Sequence, residues 1–274
     1  MKIASDLLSV GVSNDGSYVE YITYGEKDII KRTGDGHKTH GGIAPLFPYA
    51  NRIRGGTYSF DGREYAFQRG NDGNSIHGYA KDLQWEVVEI EEDAVTLKTD
   101  LYREKEYPFR IGCTVHICVS GSRFCEIAHF HNHGDSGAPI SPGFHPYFIV
   151  GNEWTVSLEK RALKSIKMDE YFPSGNYLEF YKNIRKKNAG HFDDLFRYSG
   201  LIRVLGERYS YEIEATNSRY FMIYDGEYAG GESVAVEPMS STVNAFQSGE
   251  DLKTLNPGEI WPFGFSFTVQ GTSL

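Results

Sequence analysis

Nowhere in the chain does a run of about eighteen apolar residues occur, so the sequence offers no helix able to cross a bilayer. Residues 1–18 carry a single Lys and one brief apolar patch, too short and too polar for the core of a secretion signal. Cysteine is scarce. Cys113, Cys118 and Cys125 lie in one apolar stretch, odd in number and without Cys-x-x-Cys spacing, which argues against a disulfide framework and predicts buried, reduced thiols in the cytoplasm. Basic charge is also in deficit: 28 Lys and Arg against 37 Asp and Glu give a net charge of −9. That balance speaks against nucleic acid and anionic membranes as partners, because both are held by neutralising phosphate with cations. The one basic cluster, Arg185, Lys186 and Lys187, is short and reads as a solvated loop.

Neither Gly-x-Gly-x-x-Gly, Gly-x-x-x-x-Gly-Lys-Ser/Thr nor Gly-x-Ser-x-Gly occurs, and Gly34-Asp35-Gly36 has no helix behind it to cradle a phosphate. No nucleotide cofactor is therefore implied. No linker rich in Pro, Ser or Gly interrupts the chain and no internal repeat is visible, so residues 1–274 are expected to form a single domain.

What the sequence does contain is the material of strands and turns: 19 Tyr, 17 Phe, and 30 Gly against 10 Pro. Residues 57–60 and 63–67 alternate around Asp61-Gly62, the short-range signature of a β-hairpin. Strand-length runs follow at 85–90, 94–102, 110–119, 123–132, 155–158, 201–205, 209–216, 220–225, 233–237 and 264–270. The expected fold class is all-β, with about fifteen or more strands in packed antiparallel sheets. The only helix signal is weak: residues 251–255 are expected to make one turn before Asn256-Pro257-Gly258-Glu259.

Five segments set polar groups into apolar, Gly- and Pro-punctuated surroundings, where burial of an ionisable group requires a partner or a purpose. The run from Gly42 to Ile53 ends in Asn51-Arg52, a pair suited either to binding ligand hydroxyls or to capping loop carbonyls. His77 stands in Asn74-Ser75-Ile76-His77-Gly78, beside a Gly that permits close backbone approach, and is either structural or part of a site. His145, in Gly143-Phe144-His145-Pro146-Tyr147-Phe148, is biased to extended backbone by the following Pro and walled by aromatics, as befits a proton donor or a stacked core histidine. Asp193-Asp194 sits among aromatics in 191–196, where an exposed turn is the plainer reading. Glu237 ends the apolar run 233–237, and Pro238 is expected to stop the strand there and leave the carboxylate facing a cleft.

These five pieces, in this order, resemble the aldose 1-epimerase (galactose mutarotase) family from Gly42 to Phe267. The resemblance implies a β-supersandwich of large antiparallel sheets with an open cleft for a small sugar. It implies that Glu237 is the general base at the anomeric hydroxyl, that His145 is the general acid and that His77 is an active-site His at the ring-oxygen side. It further implies that Arg52, with Asn51, and Asp193 contact the substrate, and that no metal or organic cofactor takes part. The chain departs from the galactose-handling pattern at Tyr79-Ala80-Lys81-Asp82, which replaces a Gly-rich continuation.

Opening a hemiacetal requires a proton to leave O1 while another reaches the ring oxygen, and one Glu with one His on opposite sides of the hemiacetal would meet that need. With ordinary values of roughly 4.3 and 6.5, the carboxylate is already a base near neutrality while the imidazole must be held charged. Two other readings stand beside this one. A carbohydrate-binding or sugar-sensing module would keep the cleft without turnover. A metal-dependent sugar enzyme would use His129, His131 and His133, which at i, i+2 and i+4 share one strand face. A homodimer is compatible with the composition.

Overall fold

The computed structural model describes residues 1–180, 183–187 and 190–271. Alternation of the expected kind builds most of it. In Ile111–Ser120 the buried positions are Ile111, Cys113, Val115, Ile117 and Val119, and the facing strand Arg123–Asn132 buries Phe124, Glu126, Ala128, Phe130 and Asn132. The two-residue turn between them places Gly121 at φ 55°, a left-handed position that Gly adopts without strain. The Asp61-Gly62 hairpin forms as expected, pairing Thr57–Phe60 with Arg63–Ala66, and both turn residues have positive φ (48° and 73°).

Two large antiparallel sheets result, one of 11 strands and one of 9, accompanied by three two-stranded pairs. They pack face to face through an aromatic layer. Phe144 stacks at 5.8 Å on Phe263, Phe148 meets Phe267 edge-on at 5.3 Å, and Phe47 meets Phe130 at 4.9 Å. The middle of the larger sheet is the strand Ser233–Met239, buried at every position, between Gly143–Ile149 on one side and Tyr220–Tyr224 on the other. No helix among the described residues is long and apolar enough to cross a membrane.

Four local expectations need correction. Residues 251–255 do not form a helical turn: Lys253–Leu255 is a strand paired with Ala138–Ile140, since Leu255 is buried only by extending the chain beside that strand. Among the described residues the one short α-helix is Ala245–Ser248, closed by Gly249 at φ 73°. Pro238 does not stop its strand, which runs on to Met239 with Pro238 opposite Phe221. The basic cluster is solvated as expected, with Arg185 and Lys187 exposed, but it is not wholly a loop, because Ile184–Arg185 pairs with Trp154–Leu158 and Lys186 donates to the Gly231 carbonyl at 2.7 Å. Of the cysteines only Cys113 is buried; Cys118 and Cys125 are half-buried and directly opposed across two strands, because they fall on the outer parity of the alternation.

Candidate active site

The site begins with register. Gly143 pairs with Met239 and Tyr147 with Ala235, so continuing the same register sets His145 opposite Glu237. Regular pairing lapses between those points, where Pro146 and Pro238 have no N–H to contribute. The two side chains share one face, with His145 Nε2 3.5 Å from Glu237 Oε1 and only 6% and 3% of the side chains exposed. They are neighbours, not groups on opposite sides of a ligand. Because O1 and the ring oxygen of a pyranose are both bonded to C1, adjacent groups can still serve both atoms.

The next row of the same face explains the carboxylate. Asp193 pairs with Tyr224, Tyr224 with Ala235 and Ala235 with Tyr147, so these four residues run across the sheet on the cleft side. Asp194, one residue on, points to the opposite face by the two-residue period of the strand and bonds Lys164 Nζ at 2.8 Å. Asp193 itself holds Lys167 Nζ at 3.0 Å.

Asn51, Arg52 and His77 arrive from a second direction: Arg52 opens the strand Arg52–Ile53, paired with Ser75–Ile76, and Asn51 and His77 flank the two strands. Asn51 and His77 have left-handed backbones, φ 56° and 61°, an uncommon conformation for residues with a Cβ. Each is held there: the Asn51 side chain accepts from the Arg52 N–H at 2.9 Å, and the His77 N–H donates to the Asn51 carbonyl at 2.9 Å. Gly78 follows at φ 56°, where an added Cβ would lie 2.0 Å from the Phe47 carbonyl oxygen. The Arg52 guanidinium lies 4.0 Å over the Tyr171 ring and is anchored by Asp72 at 2.9 Å.

All six residues line one cleft of about 320 Å³. Tyrosines supply much of the remaining wall: Tyr147, stacked on His145 at 4.8 Å, together with Tyr171, Tyr224 and Tyr228. Thr39 and His40 also line it. Tyr147 was expected as part of the aromatic wall around His145; the other five were missed, the abundance of Tyr being the only hint of Tyr171, Tyr224 and Tyr228, and His40 lay unremarked beyond Gly34-Asp35-Gly36.

Three of the cleft residues each carry a buried atom without a hydrogen-bond partner: His77 Nδ1, His145 Nδ1 and Glu237 Oε2. A larger depression of about 840 Å³, lined by Lys27, Lys31 and Arg208 among others, has no such atom on its walls. Burial pushes the Glu237 carboxyl well above the carboxylate range, and repulsion from Asp193 adds to this while Arg52 opposes it. Burial pulls His145 down to about 3 and takes His77 well below its ordinary value, with His145 adding to the shift at His77. Burial thus works toward the neutral form of each of the three groups, against the charged imidazole expected at His145. Its cause is the same apolar packing that makes the residues conspicuous in sequence.

The strand bearing His129 and His131 does not gather a ligand set. His129 is exposed, His131 and His133 contact one another at 3.9 Å, and among the described residues no group of three or more His, Cys, Asp or Glu is placed to hold a metal ion.

Comparison with known proteins gives a consistent result. The family model described as Aldose 1-epimerase matches residues 3–268. The Escherichia coli K12 protein YphB is 28% identical over 285 residues, covering 96% of each chain, and YihR of the same strain is 26% identical over 255 residues, covering 82% of this chain and 78% of its own. The solved GalM/aldose epimerase homologue from C. elegans superposes with a TM-score of 0.84 at 17% identity, over 100% of this chain and 99% of the other, a likeness of fold.

Proposed function

The chain belongs to the aldose 1-epimerase family, and from that premise we propose that residues 1–274 act as one cytoplasmic, cofactor-independent domain interconverting the α and β anomers of an aldose. The observation that carries this reading is the placement of His77, His145 and Glu237, each with a buried atom that has no partner, on the wall of one polar cleft lined by aromatics. Buried ionisable side chains left without partners are costly, and their clustering on one cleft is the mark of a functional site. Tyrosine rings offer apolar faces to the C–H surface of a pyranose, and Asn51, Arg52 and Asp193 offer hydrogen bonds to its hydroxyls.

In the proposed reaction, Glu237 takes the O1 proton as the C1–O5 bond breaks and a C1 carbonyl forms, while the ring oxygen receives the proton of His145. The pair then stands as protonated Glu237 and neutral His145. After rotation about C1–C2 the same two protons return, and closure on the other face gives the second anomer. The cycle thus alternates between a charged and a neutral form of one pair. Burial favours the neutral form, which lowers the free energy of the open-chain state, and Arg52 draws Glu237 back toward ionisation. His77 holds the ring-oxygen side.

Polarimetry or NMR with fresh α-anomers of galactose, glucose, xylose and arabinose tests the reading. Acceleration by the wild type that is lost in Glu237→Gln supports it. Sugar binding without acceleration would favour the binding module, and neither binding nor acceleration with any sugar would sink both.

A further inference from the structure

One cluster in the cleft has no role in this chemistry. Between the strands Lys27–Asp28 and Ile43–Leu46 the chain forms a loop that brings His40 to the cleft wall. Its imidazole is constrained on two sides. Nδ1 lies 2.7 Å from Asp35 Oδ2, and the ring stacks on Tyr228 with centroids 3.5 Å apart and planes 7° from parallel.

The surrounding loop is tied down rather than free. Asp35 also accepts from the His37 N–H at 2.9 Å and the Thr33 hydroxyl at 3.0 Å. Lys31 Nζ donates to the His40 carbonyl at 2.7 Å, the Tyr147 hydroxyl to the Thr39 carbonyl at 2.9 Å, and the Tyr18 hydroxyl to the Gly41 carbonyl at 2.8 Å. Tyr147 is the residue stacked on His145, so the loop is fastened to the catalytic row itself.

These contacts select a tautomer. Asp35, held below the ordinary carboxylate range first by its bond to His40, is an acceptor, so Nδ1 carries a proton toward it and Nε2 is the ring nitrogen left for a further hydrogen bond. We infer that His40 is a sugar-binding residue whose Nε2 shares a hydrogen bond with one ring hydroxyl, with Asp35 orienting the imidazole and Tyr228 clamping it. The hydroxyl is not the anomeric one, since O1 and the ring oxygen belong to Glu237 and His145. The substrate class is thus narrowed to aldoses carrying a free hydroxyl at that one position. A site built to bind a hydroxyl discriminates against the analogue lacking it more strongly than an apolar wall does.

This inference rests on the mutarotase reading. The test compares wild type, His40→Phe and Asp35→Asn on a sugar that the wild type turns over and on its single-deoxy analogues. Phe keeps the stack on Tyr228 and removes Nε2; circular dichroism melting verifies that the variant folds. The expected result is a KM about tenfold higher for His40→Phe with kcat within about twofold, a smaller KM increase for Asp35→Asn, and disappearance of the wild-type advantage on one deoxy analogue alone. An unchanged KM, or an equal loss on every analogue, overturns the assignment while leaving the mutarotase reading intact. A wild type that accelerates no sugar removes that reading and this inference together.

Discussion

Replacing Glu237 by Gln separates the chemistry of the cleft from its architecture. The amide matches the carboxyl in size, so the 3.5 Å contact with His145 and the walls of the cleft remain, and KM should stay within about threefold of wild type. The amide cannot accept the O1 proton. A positioned proton-transfer group is worth about 10² to 10⁴ in rate, or roughly 3–5.5 kcal/mol of barrier, and kcat should fall by that amount. Stability should move the other way. Because the Glu237 carboxyl is raised in the folded state, its contribution is fully present below the unfolded value near 4.3 and is lost as pH rises, with a slope of up to ~1.4 kcal/mol per pH unit while the unfolded chain ionises and the folded one does not. Gln has no such loss, so the variant should gain on wild type between pH 5 and pH 8. NMR mutarotation rates at pH 7 and urea unfolding at both pH values measure the two effects. A kcat within threefold of wild type would refute the base assignment, and a variant that loses ground to wild type as pH rises would refute the electrostatic argument.

Three further outcomes follow from the packing. Glu126 is fully buried opposite Ile117 and Phe265 with both carboxyl oxygens unpartnered, so Glu126→Leu should stabilise the protein by ~1–3 kcal/mol at pH 7, more at pH 8 than at pH 5, with activity unchanged; a lower urea midpoint would count against it. Gly78→Ala should cost more than ~1 kcal/mol through its φ of 56° and the close Phe47 carbonyl, and mutarotation should fall with it because His77 shifts; a Tm equal to wild type would contradict this. Cys118, drawn down to about 6 by its hydrogen bond with Cys125 and by His116, should be alkylated first at pH 7, while buried Cys113 reacts only on unfolding; equal labelling of the three in peptide mass spectra would oppose it.

Much of the fold was written in local pattern. The alternation in residues 111–132, the turn at Asp61-Gly62 and the shortage of helix signals specify strands because side chains in a strand reach opposite faces every second residue, a property of a few consecutive residues. The same is true of the conspicuous placement of His77, His145, Asp193 and Glu237 among Gly, Pro and aromatics. Where local signals were misleading, pairing prevailed: Pro238 lies inside a strand, and residues 253–255 are extended because a partner strand accepts them.

Sequence alone determined that the chain is all-β and which residues merit attention, since propensity and periodicity act over a few neighbours. Only the tertiary structure decided that His145 faces Glu237, that Asp193 rather than Asp194 reaches the cleft, that His40 joins them, and that burial drives the Glu237 carboxyl upward. Those outcomes depend on strand order, register and burial, which arise from contacts between segments far apart in the chain and are absent until the two sheets close over their common core.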